Sequence, residues 1–147
     1  MKLCSACLLG IKCRYDGKIK KYPKVLEFAK KELLIPVCPE QLGGLSTPRS
    51  GSRIQSNNGK DVLNGCSKVL TNENQNVTKQ YIQGAEETLK IAQLLGIKKV
   101  LFKQKSPSCG CGYTQGGLKK RTLKKGDGVT TALLKKHGIK VITEEDL

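Results

Sequence analysis

Apolar positions along this chain fall into short runs separated by polar punctuation, and the period of each run predicts an element. "KLCSA" near the N-terminus predicts a buried strand. Residues 22–33 place Val25, Leu26, Phe28, Ala29 and Leu33 at helical spacing, with Pro23 suited to the first turn. "LIPV" predicts a second strand ending at Cys38. Residues 52–77 are mostly polar, and "NNGKDVLNG" carries Asn-Gly turn signals between two short strand candidates, so a hairpin excursion is expected. A helix from Thr78 to about Leu95 follows, closed by Gly96, with Tyr81, Ile82, Ala85, Leu89, Ile91 and Ala92 largely on one face. "KKVLFK" is a third strand, "GDGVTTALLKKHG" a helix ended by Gly138, and "IKVIT" a last strand.

Strands alternating with helices predict an α/β fold: a single-domain, three-layer α/β/α sandwich over residues 1–147. Its sheet would be mostly parallel and Rossmann- or flavodoxin-like, with the hairpin as an excursion. Right-handed crossovers then bring the carboxyl ends of the strands to one edge, where open α/β sheets place their sites.

Composition narrows the classes. The 147 residues are 37% hydrophobic, with no run long enough to cross a bilayer, and "MKLCSACLLGIKC" lacks the extended apolar segment of a cleaved leader. A cytoplasmic protein with no membrane partner is expected. Seven cysteines in such a setting point to metal or redox chemistry rather than disulfides. The formal charge is +15, and Thr88 to Gly126 holds ten Lys or Arg and no Asp or Glu, which favours anionic partners, tRNA among them. With no Trp, two Phe and four Tyr, the stacking platforms of single-strand RNA modules are scarce.

The predicted strand order gives the cysteines a pattern. Cys7 follows the first strand, Cys38 ends the second and Cys109 follows the third, each beside Gly or Pro on a loop at the same sheet edge. Three converging thiolates without an obvious fourth ligand suit an iron–sulfur cluster with one open iron. The competing reading is a closed zinc site from Cys4, Cys7, Cys109 and Cys111. Cys4 and Cys66 are otherwise expected as small buried residues. Cys13 and Cys111 could line the site without ligating. His137, the single histidine, stands at a helix end where a structural role explains it. Proton transfer then falls to Glu40, two residues past Cys38, with Ser106 able to hydrogen-bond a substrate or water.

Read together, "SACLLGIKCRYDG", "CPEQLGGLSTPR", "GAEETLKIAQLLGIKKVLFKQKSPSCG" and "GDGVTTALLKKHGIKV" resemble, in order and spacing, the thiouracil desulfidase family. The resemblance implies an oxygen-sensitive [4Fe–4S] cluster on Cys7, Cys38 and Cys109, with Cys13 as the alternative to Cys7. It implies Glu40 and Ser106 as the catalytic pair. Arg14, Arg49 and Ser108, within the same motifs, are expected to contact substrate. The implied reaction is hydrolytic: a thiocarbonyl sulfur binds the open iron, water replaces it and sulfide leaves. A small thiolated heterocycle, or sulfide itself, would occupy that iron. The same chemistry on 2-thiouridine of tRNA, and a non-catalytic iron–sulfur or hydrosulfide carrier, are the alternatives. "SGSR" after "TPR", at a loop expected to face substrate, and "CGCGYTQGGLKKR", which adds Cys111 and positive charge, depart from the family's pattern and leave the implied cluster ligands in place.

Overall fold

A computed structural model describes residues 1–116 and 122–147. Lys119, Lys120 and Arg121 of the basic stretch lie outside the described residues. The chain runs β1 (Lys2–Ser5), a 3-10 turn (Ala6–Leu9), α1 (Pro23–Ala29), β2 (Leu34–Val37), α2 (Pro39–Leu42), β3 (Ser52–Ile54), α3 (Gly59–Leu63) and β4 (Val69–Thr71). It continues through α4 (Thr78–Leu94), β5 (Lys99–Phe102), β6 (Tyr113–Gln115), β7 (Leu123–Lys125), α5 (Val129–Lys136), β8 (Lys140–Thr143) and a last 3-10 turn (Glu144–Asp146).

The central sheet has order β2-β1-β5-β8, with every pair parallel. Strand alternation sorts its side chains into two faces. Leu3, Val100, Phe102 and Val141 pack with Leu89 and Ala92 of α4 and Leu134 of α5. Cys4, Leu101, Ile142 and Leu34 pack with Leu8, and with Val25 and Phe28 of α1. Helices on both faces give the expected three layers. From β1 the chain steps outward to β2, then returns to β5 on the other side, so a topological switch point lies between β1 and β5.

Two predicted elements need correction. The first helix ends at Ala29 rather than near Leu33. Residues 30–32 close it with tight turns, because Lys2 N–H must reach the Leu33 carbonyl (2.9 Å) for β2 to enter the sheet, which leaves Leu33 66% exposed. The excursion does pair β3 antiparallel to β4. Its Asn-Gly signal, however, opens helix α3: Asn58 caps the helix, taking the Asp61 N–H and giving its own to the Asp61 carboxylate. Ile54, Val62 and Val69 then seal this excursion onto Tyr81, Ala85 and Val129. The hairpin β6–β7 was not anticipated from the sequence, since its short polar strands carry no apolar alternation.

Candidate active site

The loops leaving β1, β2 and β5 meet at the switch point around a cleft of about 680 Å³. Cys7, Cys38 and Cys109, one from each loop, line it, and so does Cys13. Cys13 and Cys109 are 2% and 4% exposed, while Cys7 and Cys38 are half-buried. The Cys38 thiol donates to the Cys13 carbonyl at 3.9 Å. Four thiols therefore face one cavity.

Their ionisation reflects that crowding. The hydrogen bond with Cys13, followed by burial, pushes the Cys38 thiol far up. Burial does the same to Cys109, against an opposing hydrogen bond from Ser5. For Cys13 the bond with Cys38 favours the thiolate, but the bond with Cys7 and burial outweigh it, and the thiol is pushed up to about 11. Such thiols become thiolates only beside added positive charge, as a metal centre provides.

The remaining cysteines stand elsewhere. Cys4 is fully buried under the sheet, its thiol pushed up to about 12 by burial. Cys66, expected to be buried, is exposed just beyond α3, where the turn after Gly65 faces outward. Cys111 packs at the edge of the core and does not line the cleft. The Cys4, Cys7, Cys109, Cys111 zinc set is thus not assembled. Among the described residues no three His, Cys, Asp or Glu side chains stand close enough to hold a single metal ion.

Close backbone contacts hold the loops. A Cβ on Gly84 of α4 would sit 1.9 Å from the Pro39 carbonyl oxygen, and one on Gly43 would sit 2.0 Å from that of Gln80. The turn α2, which carries Cys38 at its start and Glu40 within it, therefore lies directly on α4. On the other side, the first N–H groups of α5 are spent on the Cys109 loop: Val129 donates to Pro107 O (2.9 Å) and Thr130 to Ser108 O (2.9 Å). A Cβ on Gly128 would come within 2.5 Å of the Ser108 carbonyl.

The polar candidates divide by how far the fold occupies them. Glu40 lines the cleft and accepts from Arg49 Nε at 2.8 Å, with side chains 16% and 8% exposed. Arg49 also donates to Ser46 O, Thr47 Oγ1 and Cys13 O (3.0, 3.1 and 2.9 Å), so four of its five N–H groups are engaged. It acts as a clamp between Glu40 and the Cys13 loop. Arg14 also lines the cleft; it pairs through Nε and Nη2 with Asp16 and keeps its Nη1 donors. That pairing holds the Asp16 carboxyl at about 2. Ser106 accepts the N–H groups of Ser108 and Cys109, both at 3.1 Å, which leaves its O–H to donate into the cleft. Ser108, expected to contact substrate, does not line the cleft. It is 1% exposed and shares its hydroxyl with Thr130 Oγ1 at 2.7 Å.

Several lining residues escaped sequence reasoning: Lys20, Asn72 and Tyr81 lie outside the motifs, and Lys103 and Gln104 lie inside the third motif without standing out as site residues. Lys103 is held by Glu144 from the C-terminal turn, and Gln104 N–H donates to the same carboxylate at 2.8 Å. Only the folded chain places residues 72, 81 and 144 around the loops of β1, β2 and β5.

Comparison with known proteins places the chain in a family. The family model described as 2-thiouracil desulfurase matches residues 3–146. An uncharacterized protein of Bacillus subtilis (strain 168), YbbK, is 42% identical over 147 residues, covering 100% of this chain and 97% of its own. The solved structure of the [4Fe-4S]-dependent thiouracil desulfidase TudS superposes with a TM-score of 0.85 at 36% identity, covering 99% of this chain and 91% of its own. With all but three of its residues inside the family model, the chain belongs to the 2-thiouracil desulfurase family.

Proposed function

We propose that this chain is a [4Fe–4S]-dependent desulfidase that exchanges the sulfur of a small thiolated pyrimidine for oxygen from water. The observation that carries the reading is the meeting of four thiols, Glu40 and Ser106 in one cleft at the switch point. The donor set fits the group: thiolates from Cys38, Cys109 and Cys7, with Cys13 as the alternative to Cys7, would hold three irons and leave the fourth without a protein ligand. When bound, the cluster supplies a Lewis-acid iron with affinity for a soft thione sulfur.

The reaction balances without electrons: a C=S group and one water give a C=O group and hydrogen sulfide. The chain's own residues handle the protons. Glu40, with Oε2 held by Arg49, presents its other oxygen as the base that takes a proton from water. Ser106 donates its remaining O–H to a ring nitrogen or to the incoming oxygen. Arg14 offers free N–H donors to an oxo group of the ring.

The alternative tRNA reading rests on the basic stretch from Thr88 to Gly126; among its described residues Lys103 and Lys105 are paired with Glu144 and Glu145. Among the described residues no helix is long and apolar enough to cross a membrane. The seven free cysteines suit a reducing cytoplasm. Anaerobic reconstitution with iron and sulfide, followed by incubation with 2-thiouracil, tests the proposal. About four irons per chain and formation of uracil are expected. A loaded protein that binds hydrosulfide and turns over no thiopyrimidine would indicate a carrier instead.

A further inference from the structure

Part of the cleft wall belongs to the β3–β4 excursion, which contributes Gly51, Ser52 and Asn72. Asn72 follows β4 directly, and its backbone N–H is fixed to the Gly51 carbonyl at 2.9 Å. Its side chain lies over Gly51, where a Cβ would come 3.1 Å from Nδ2. The Asn72 carboxamide is exposed to the cleft and makes no hydrogen bond to any described residue.

The other carboxamides of the lining are engaged, and its charged groups are chemically one-sided. Gln104 Oε1 accepts from Lys105 N and Cys111 N (3.1 and 2.8 Å), and its Nε2 donates to Cys111 O at 2.8 Å. Gln115 also has a partner. Arg14 and Arg49 only donate, Glu40 only accepts, and the free capacity of Ser106 is a single O–H. A thiolated pyrimidine carries on its ring a cyclic amide edge, an N–H beside a C=O. Matching that edge takes an acceptor and a donor side by side, which a primary carboxamide supplies.

We propose that Asn72 is the specificity-determining residue of the cleft, reading the N–H/C=O edge of the pyrimidine through two parallel hydrogen bonds. Asn72 Oδ1 accepts from the ring N–H and Nδ2 donates to the neighbouring carbonyl. The assignment rests on the thiolated-pyrimidine reading above and adds how the ring is told from other thiones. Substrates without this edge lose both bonds and leave the carboxamide unpaired.

Calorimetric binding of uracil and 1,3-dimethyluracil to the reconstituted protein tests it, because methylation of both ring nitrogens removes every ring N–H donor. The wild type is expected to prefer uracil by roughly tenfold or more, the range of one bidentate contact. Asn72→Ala should abolish that preference by weakening uracil alone. Asn72→Asp, equal in shape but unable to donate, should weaken uracil as well, and because the position is exposed neither variant should change iron content. A wild-type preference that survives in Asn72→Ala overturns the assignment, as does a wild type that turns over 2-thiouracil and binds both rings equally. A wild type that neither binds uracil nor turns over 2-thiouracil removes the proposed function itself, and this inference with it.

Discussion

Arg49 joins the two functions of the cleft: its Nε holds Glu40 Oε2 at 2.8 Å while its Nη2 holds the carbonyl of Cys13 at 2.9 Å. A guanidinium that is 8% exposed in its side chain thus ties the proton carrier to a thiol-bearing loop. Removing it leaves the Glu40 carboxylate without its partner in a largely buried setting.

Arg49→Met is therefore expected to lower stability by about 3 kcal/mol and to lower kcat more than it raises KM. Arg49→Lys, with one point charge in place of a planar fork, should recover part of the stability and little of the rate. Urea unfolding with steady-state kinetics on 2-thiouracil reads both. An unchanged kcat in Arg49→Met would show that Glu40 does not depend on the clamp.

The contact between α2 and α4 leaves no room for a side chain. Gly84→Ala would place a carbon 1.9 Å from the Pro39 carbonyl oxygen, so α2 must move away with Cys38 and Glu40. The variant is expected to lose several kcal/mol, on the order of an overpacked core, and to retain less iron on reconstitution. Iron per chain and the thermal midpoint check this. Gly44→Ala, where nothing stands within 4 Å of the added carbon, tests only the left-handed backbone and should keep the iron.

Much of this was legible in the chain. Four parallel strands, the flanking helices and the convergence of Cys7, Cys38 and Cys109 follow from apolar periodicity and from the rule that strand ends share an edge. Two classes of feature were not. Cys66 is exposed and Ser108 buried because burial of a loop residue depends on what packs over it, and nothing local encodes that. Asn72 reaches the cleft through tertiary placement, 34 residues from Cys38 and outside every motif, so nothing local connects it to the thiols. Asn58 looked like a turn because an Asn-Gly pair signals hairpin and helix start alike, and only its bond to Asp61 decides.

The Arg14–Asp16 pair gives a pH signature. Asp16 is held at about 2 in the folded protein, first by its hydrogen bonds from Arg14, below the roughly 3.9 of an unfolded chain. A depressed carboxyl stabilises above the unfolded value, and that contribution is lost as pH falls from about 4 through about 2. The pair is partly open to solvent, so the contribution is at most about 1 kcal/mol. Asp16→Asn should lower stability at pH 6 and match the wild type below about pH 2, as read by denaturant unfolding across pH. A difference that persists unchanged at acid pH would place the effect in packing rather than charge.

Single Cys→Ala substitutions separate the thiols. Cys38→Ala and Cys109→Ala should lose most reconstituted iron, whereas Cys4→Ala, Cys66→Ala and Cys111→Ala should keep it, because none of these three lines the cleft. Comparing Cys7→Ala with Cys13→Ala assigns the third ligand: the one that loses iron is the ligand. Retention of full iron in Cys38→Ala would contradict the ligand set.

The most direct test follows the oxygen. Anaerobically reconstituted protein is given 2-thiouracil in ¹⁸O-labelled water, and the product is weighed by mass spectrometry while sulfide is counted. Uracil carrying the label, with one sulfide released per uracil and turnover lost in Glu40→Gln without loss of iron, is the predicted result. Unlabelled product, or sulfur that stays on the protein after a single turnover, would contradict hydrolytic desulfuration in this cleft.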